Sequence, residues 1–172
     1  MMDDTLSELR SLTRDLNSVA RSVIAEDGAH AAMFFLRVEG GELAAHLFAE
    51  AVERRVGEAR GREIAEAVRS TGADAVVCVS EAWSAAPEAV PEEDGVGDAP
   101  DAHDVLLVAA VDRHGNSVAL ETPVVRLPDG TVELGASEEY EGDYSLNFLE
   151  PVKAAWERDL LDSASSGERD TL

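Results

Sequence analysis

Hydrophobic positions along the chain follow two different rhythms. From Leu6 to Val23, apolar residues recur at spacings of three and four: Leu6, Leu9, Leu12, Leu16, Val19 and Val23. That period predicts an amphipathic helix over residues 4–26. Thr5 with Glu8 reads as a capping box at its start, and Asp27-Gly28 as its stop. Residues 50–70 repeat the rhythm with Val52, Val56, Ile64 and Val68, and charged residues fill the opposite face. A last short helix over 150–162 is predicted from Pro151 in the first turn and the apolar face of Val152, Ala155, Trp156 and Leu160.

Between the helices the rhythm changes to continuous apolar runs. Ala75 to Val79 and Val105 to Val111 carry no polar residue. Runs of this length rich in Val predict strands, and the lack of alternation predicts that both faces of the sheet are covered. Ala31 to Val38 and Leu43 to Phe48 flank Glu39-Gly40-Gly41-Glu42, a hairpin signal because glycine tolerates positive φ. A helix beginning at Glu42 is the alternative for the second of these. Val118 to Arg126 is a further strand, with Pro123 placing it at a sheet edge or a bulge. Pro128-Asp129-Gly130 turns the chain into a short strand over residues 131–134.

The expected fold is therefore α+β: a mainly antiparallel sheet of five or six strands, one helix packed on a face, and flanking N- and C-terminal helices. Residues 1–162 form one domain with its core over 30–135, and 163–172 form a flexible polar tail. Residues 84–103 make a long connection, with six acids and no base between Glu88 and Asp101. Its composition favours a solvated excursion.

Charge narrows the picture further. Thirty-six acids face fourteen bases, for a net charge of −22, and Lys153 is the only lysine. Such a surface stays hydrated at high salt, where self-repulsion is screened, and this points to a halophilic archaeal host. It argues against direct binding to nucleic acid or anionic membranes. An acidic nucleic-acid mimic is the competing reading. The N-terminus is acidic and polar with no leader pattern, which predicts a cytoplasmic protein. Cys78 lies within an apolar run and is expected to be a buried, inert thiol.

The stretch Val76 to Trp83, reading VVCVSEAW, precedes an acidic, Pro-containing connection, an apolar strand, a D-x-x-G-type turn and a strand with an internal Pro. That order resembles a loose group of small uncharacterised prokaryotic and phage-associated proteins whose buried strand ends in Ser-Glu-Ala-Trp. The resemblance covers roughly residues 30–135. It implies a virus-associated setting and no activity.

Candidate chemistry is sparse. Ser80 and Glu81 end the central strand, and with His103 as base they would make a hydrolase site, although no G-x-S-x-G elbow surrounds Ser80. His103-Asp104 and Asp112-x-His114 bracket one strand and lie too far apart for a single metal. No phosphate loop, zinc pattern or EF-hand loop appears, so no cofactor is implied. The favoured expectation is a non-catalytic interaction or accessory protein that contacts a protein partner or itself. Its candidate contact residues are Trp83, Glu81, Leu9, Leu16 and Trp156, since tryptophan and exposed helix faces anchor interfaces.

Overall fold

The computed structural model describes residues 2–38, 41–47, 56–84, 103–141 and 149–158. The elements are α1 (Met2–Asp27), β1 (Met33–Arg37), β2 (Leu43–Leu47), α2 (Val56–Thr71), β3 (Ala75–Ser84), β4 (His103–Asp112), β5 (Ser117–Arg126), β6 (Val132–Leu134) and β7 (Glu138–Glu141), followed by a helix α3 over 150–158. Every pairing is antiparallel, in the order β2-β1-β3-β4-β5-β6, with β7 also on β5. The fold is the α+β arrangement expected, with flanking terminal helices. The sheet has one short strand more than predicted but is no wider, since β6 and β7 share the outer position on β5.

The two continuous runs sit at the centre. β3 and β4 pair along their whole length, from Ala75↔Asp112 to Ser84↔His103. Alternate side chains of a strand face opposite ways, and here each face meets a helix layer. Ala75, Val77, Val79, Leu106, Val108 and Ala110 pack under α1 with Leu9, Ala20 and Ile24. Val76, Cys78, Ala109 and Val111 pack on the other side with Ile64 and Val68 of α2 and Val152 and Trp156 of α3. A strand buried on both faces has no use for alternation, which is why the runs are unbroken.

The buried stripe of α1 differs from the one the apolar spacing predicts. Its fully covered line runs through Leu9, Thr13, Asn17, Ala20 and Ile24, while Val19 is 59% exposed. Two polar residues therefore lie in the covered face, each with a partner. The Thr13 hydroxyl donates to Leu9 O at 2.5 Å, and Asn17 Nδ2 donates to Ser137 Oγ at 3.0 Å. Nor is Thr5 a cap: the helix begins at Met2, and Asn116 Nδ2 donates to Thr5 Oγ1 at 2.9 Å, tying the helix start to the β4–β5 turn.

The β1–β2 hairpin closes as the Gly-Gly signal predicts, and residues 43–47 are strand rather than helix. Gly41, at φ +81°, donates its N–H to Val38 O (3.0 Å), and Val38 N–H donates to Glu42 O (2.9 Å). A residue with a side chain would be strained at that φ; glycine is not. Pro123 is neither at an edge nor bulged: β5 holds an unbroken register with β4 through Val105↔Pro123, and the extra residue lies opposite it, where 135–137 face 122–123. β5 is interior, with β7 on its first half, β6 on its second, and Gly135 N–H donating to Pro123 O at 3.0 Å between them. β7 is the element the sequence pattern missed. The predicted helix start at 50–55, the 85–102 connection and the 163–172 tail lie outside the described residues.

Candidate functional site

At the Ser80–Trp83 end of β3, Arg126 of β5 gathers the neighbouring acids. It binds Glu81 and Asp104 (Nη1 to Oδ2, 2.9 Å) and donates to Gly28 O at 3.1 Å, just past the end of α1. His30 N–H donates to the second Glu81 oxygen at 3.2 Å. The hydrogen bond to Glu81 holds the Arg126 guanidinium above its usual pKa, aided by the charges of Glu81 and Asp104. A carboxylate held this way is an ion-pair partner. Arg126 thereby fastens β3, β4, β5 and the exit of α1 at one corner.

Ser80 does not share that corner. As the strand neighbour of Glu81 it faces the other side of the sheet, the side of Val76 and Cys78. His103 stands across from Ser84, four residues along the strand from Ser80, or about 13 Å at the usual rise. The backbone does not bring Ser80, Glu81 and His103 together. The side chains of Trp83 and His103 lie outside the described residues.

At the far end of β4, Asp112 is buried and spends its carboxylate on the turn, accepting from His114 N (2.9 Å), Asn116 N (3.0 Å) and Asn116 Nδ2 (2.8 Å). His114 is exposed. Among the described residues no group of three His, Cys, Asp or Glu side chains is placed to hold a metal ion. Two open hollows of about 320 and 400 Å³ are lined by Leu6, Gly115, Asn116, Ser117 and Glu141, and by Arg62, Ala65, Glu66, Arg69 and Pro151. Neither hollow includes Ser80, Glu81 or His103.

Three expected contact residues belong to the core instead. Leu9 is fully covered, and Leu16 packs against the same α1-side cluster. Trp156 is 4% exposed and its indole N–H donates to Ala73 O at 2.9 Å. The reason is the same in each case. A sheet apolar on both faces takes up these side chains of the terminal helices.

Two features emerge that the sequence reading did not single out. The first is a polar seam between α1 and the last strands. Arg10 and Arg14 bind Glu139 (3.6 and 2.8 Å), Arg10 also binds Glu141, and Arg21 Nη1 donates to Gly135 O (2.8 Å) and Ser137 Oγ (3.1 Å). Ser137 in turn shares a 2.5 Å hydrogen bond with the buried Thr122 hydroxyl. The spacing of Arg10, Arg14, Asn17 and Arg21 is helical, and that is the signal that places them on one face.

The second feature is the outer row of β2. Leu43 is 43% exposed and Leu47 is 66% exposed, with exposed Ala45 between them. They stand on the α1 side of the sheet, opposite Arg37, Phe35 and Met33. α1 packs mainly over β3 to β6 and does not cover this row. On the reverse face His46 stacks on Phe34, ring centroids 5.0 Å apart and planes 11° from parallel. The hairpin is thus rigidly seated while its outer row is bare.

A comparison with known families matches residues 1–168 to the family of bacteriophage lambda protein ea47. The chain belongs to that family. The match spans nearly the whole chain rather than the Ser-Glu-Ala-Trp stretch alone, and it places the protein among phage-associated proteins. No curated protein and no solved structure matches the chain. Among the described residues of this ea47-family chain, no helix is long and apolar enough to cross a membrane.

Proposed function

We propose that this ea47-family chain is a non-catalytic accessory protein of a phage and works through protein contacts. The observation that carries the reading is the β2 row: two exposed leucines on an uncharged edge strand, in a molecule of net charge −22. Sheet edges left without charge or proline pair readily with another chain, and soluble proteins ordinarily blunt them. An edge strand plus apolar side chains supplies both main-chain and side-chain contacts. Glu81 keeps its expected place beside this function only as an anchor of the Arg126 corner, and the contact role moves from β3 to β2.

A host with high internal salt is part of the same proposal. It rests on composition, since arginine-biased bases and abundant acids suit a solvent in which charge repulsion is screened. A cytoplasmic location goes with it.

The test is affinity capture of the tagged chain from phage-infected host cells in high salt, comparing wild type with Leu43→Asp/Leu47→Asp. A protein enriched by wild type and lost with the double variant supports the reading. Identical recovery with both chains, for every enriched protein, would refute it.

A further inference from the structure

We infer that the occupant of the β2 edge is β2 of a second copy of this chain, joined in antiparallel register centred on Ala45. The inference rests on the protein-contact reading above and names its partner. Three independent observations lead to it.

The first is the phase of the main-chain hydrogen bonds. Val38 N–H donates to Glu42 O, which makes the 38–42 pair a hydrogen-bonded one. In an antiparallel ladder such pairs alternate with pairs that do not exchange bonds. Ala44 and His46, opposite Leu36 and Phe34, therefore direct their amides and carbonyls toward β1. Leu43, Ala45 and Leu47 direct theirs to the free edge. Among the described residues β2 pairs with β1 alone.

The second is the side-chain order. The same three residues that offer main-chain groups also form the exposed row, and that row reads Leu-Ala-Leu in either direction. An isologous two-fold contact requires a surface that is complementary to itself. With Ala45 on the axis, Leu43 of each copy faces Leu47 of the other. Each of these pairs is of the hydrogen-bonded type, exchanging two N–H···O bonds. The four leucines then lie side by side on one face, and apolar cross-strand pairs are the unit of sheet stabilisation.

The third is charge. Two molecules of net charge −22 repel unless their contact region is free of acids. Residues 28–38 form the longest acid-free stretch in the chain, and 43–49 are acid-free as well. These stretches contain the two strands of this hairpin, Met33–Arg37 and Leu43–Leu47. Glu42 lies at the hairpin turn, away from the axis at Ala45. The remaining long-range repulsion is screened by salt, so the contact strengthens as salt rises.

The experiment uses the purified full-length chain. Sedimentation equilibrium is run at about 0.1 M and about 1 M salt, between which the screening length falls from about 10 Å to about 3 Å. Wild type is expected to form a concentration-dependent dimer whose fraction rises with salt. Leu47→Asp is expected to weaken the dimer tenfold or more. Val19→Asp, which adds the same charge at an exposed position of α1, is expected to leave the dimer intact.

Register is read separately by mild oxidation. Ala45→Cys places two Cα atoms about 5.5 Å apart across the axis, a span a disulfide bridges, and should cross-link. Leu47→Cys places its two copies about 14 Å apart and should not. The native Cys78 is buried and does not compete. A wild-type monomer at both salts overturns the inference. So does a dimer that Leu47→Asp and Val19→Asp weaken equally, or equal cross-linking at positions 45 and 47. If the chain is monomeric but β2-dependent capture of a different protein persists, the second copy is wrong and the protein-contact reading stands. If neither is seen, both fall.

Discussion

The two edges of this sheet are built on opposite plans. At one, β2 is a regular five-residue strand with no charge or proline, and its outer row is bare. At the other, the outer strand is split into β6 and β7 by an interruption at 135–137, and its exposed side carries Glu133, Glu138, Glu139 and Glu141. Of these, Glu139 and Glu141 are met by Arg10 and Arg14 from α1, and the break is filled by Ser137 and the Arg21 side chain. Breaks and charges are the usual means of denying an edge to another chain. The molecule applies them to one edge and withholds them from the other. That asymmetry is the ground of the contact proposed at β2, in a chain with acids enough to have closed the edge.

The largest blow to the comparison should come from Phe34→Ala. Its ring is buried, seats the hairpin on the core and stacks on His46. Removing it should cost about 3–5 kcal/mol, read as a lower denaturant midpoint at fixed salt. Loss of less than about 1 kcal/mol would mean the hairpin is not held by the core as described.

Gly135→Ala tests the closed edge. A Cβ there would lie 3.1–3.3 Å from the Pro123 ring, tighter than ordinary packing. The expected cost is about 1–3 kcal/mol from forced displacement. The loss should be smaller than that of Phe34→Ala, and dimer formation should be unaffected.

Cys78 offers a local probe, because it stands opposite Phe34 on the β1 side of β3. Burial pushes its thiol up to about 12, with the Arg60 charge opposing. A pKa raised in the folded state means the neutral thiol is favoured there. Its contribution to stability is then fully present below the ordinary pKa of 9.0 and is lost as pH rises through about 12. Native protein at pH 8 should resist alkylation at Cys78. Phe34→Ala should speed labelling, while Gly135→Ala should not. Rapid labelling of the native chain would contradict the packing of the β1 side.

Leu47→Ala should have the smallest effect on stability, within about 0.5 kcal/mol, because the side chain is mostly in water already. Little change in the midpoint together with a weaker dimer separates contact from fold at one residue. A large loss of stability would show that the row is covered within the monomer.

The contrast between the edges also shows what was legible in the sequence. Gly41 announced the hairpin because positive φ leaves a compositional mark, and the unbroken Val-rich runs announced a sheet covered on both sides. Pro123 announced an irregularity, since it has no amide to donate. β7 left no mark: Glu-Glu-Tyr-Glu has neither alternation nor apolar content, and it is a strand because β5 offers free amides and α1 supplies arginines. The covered stripe of α1 was misread for a related reason. Asn17 is buried through a hydrogen bond to Ser137 that only the tertiary structure provides, and Thr13 is buried with its hydroxyl turned back on Leu9 O within the helix. At the site, pairing of Glu81 with an arginine was readable as a possibility, but the choice of Arg126, 45 residues away, was not. The exposed row of β2 was hidden most completely, because Leu43 and Leu47 look like core residues until their exposure in the fold is seen.

The polar seam of α1 has a consequence for how the chain comes to be folded. The helix precedes in sequence every strand it packs on, and the partners of Arg10 and Arg14 lie 125 to 131 residues later. Its apolar side is made before β3, β4 and β5 exist to cover it. Contacts so distant in sequence form late and slow the search for the native state. Through most of synthesis α1 is an amphipathic segment with nothing to rest on, the kind of species that chaperones bind. α1 is thus among the last elements to be fastened, and a nascent chain arrested before Glu139 would lack the ion pairs that secure it.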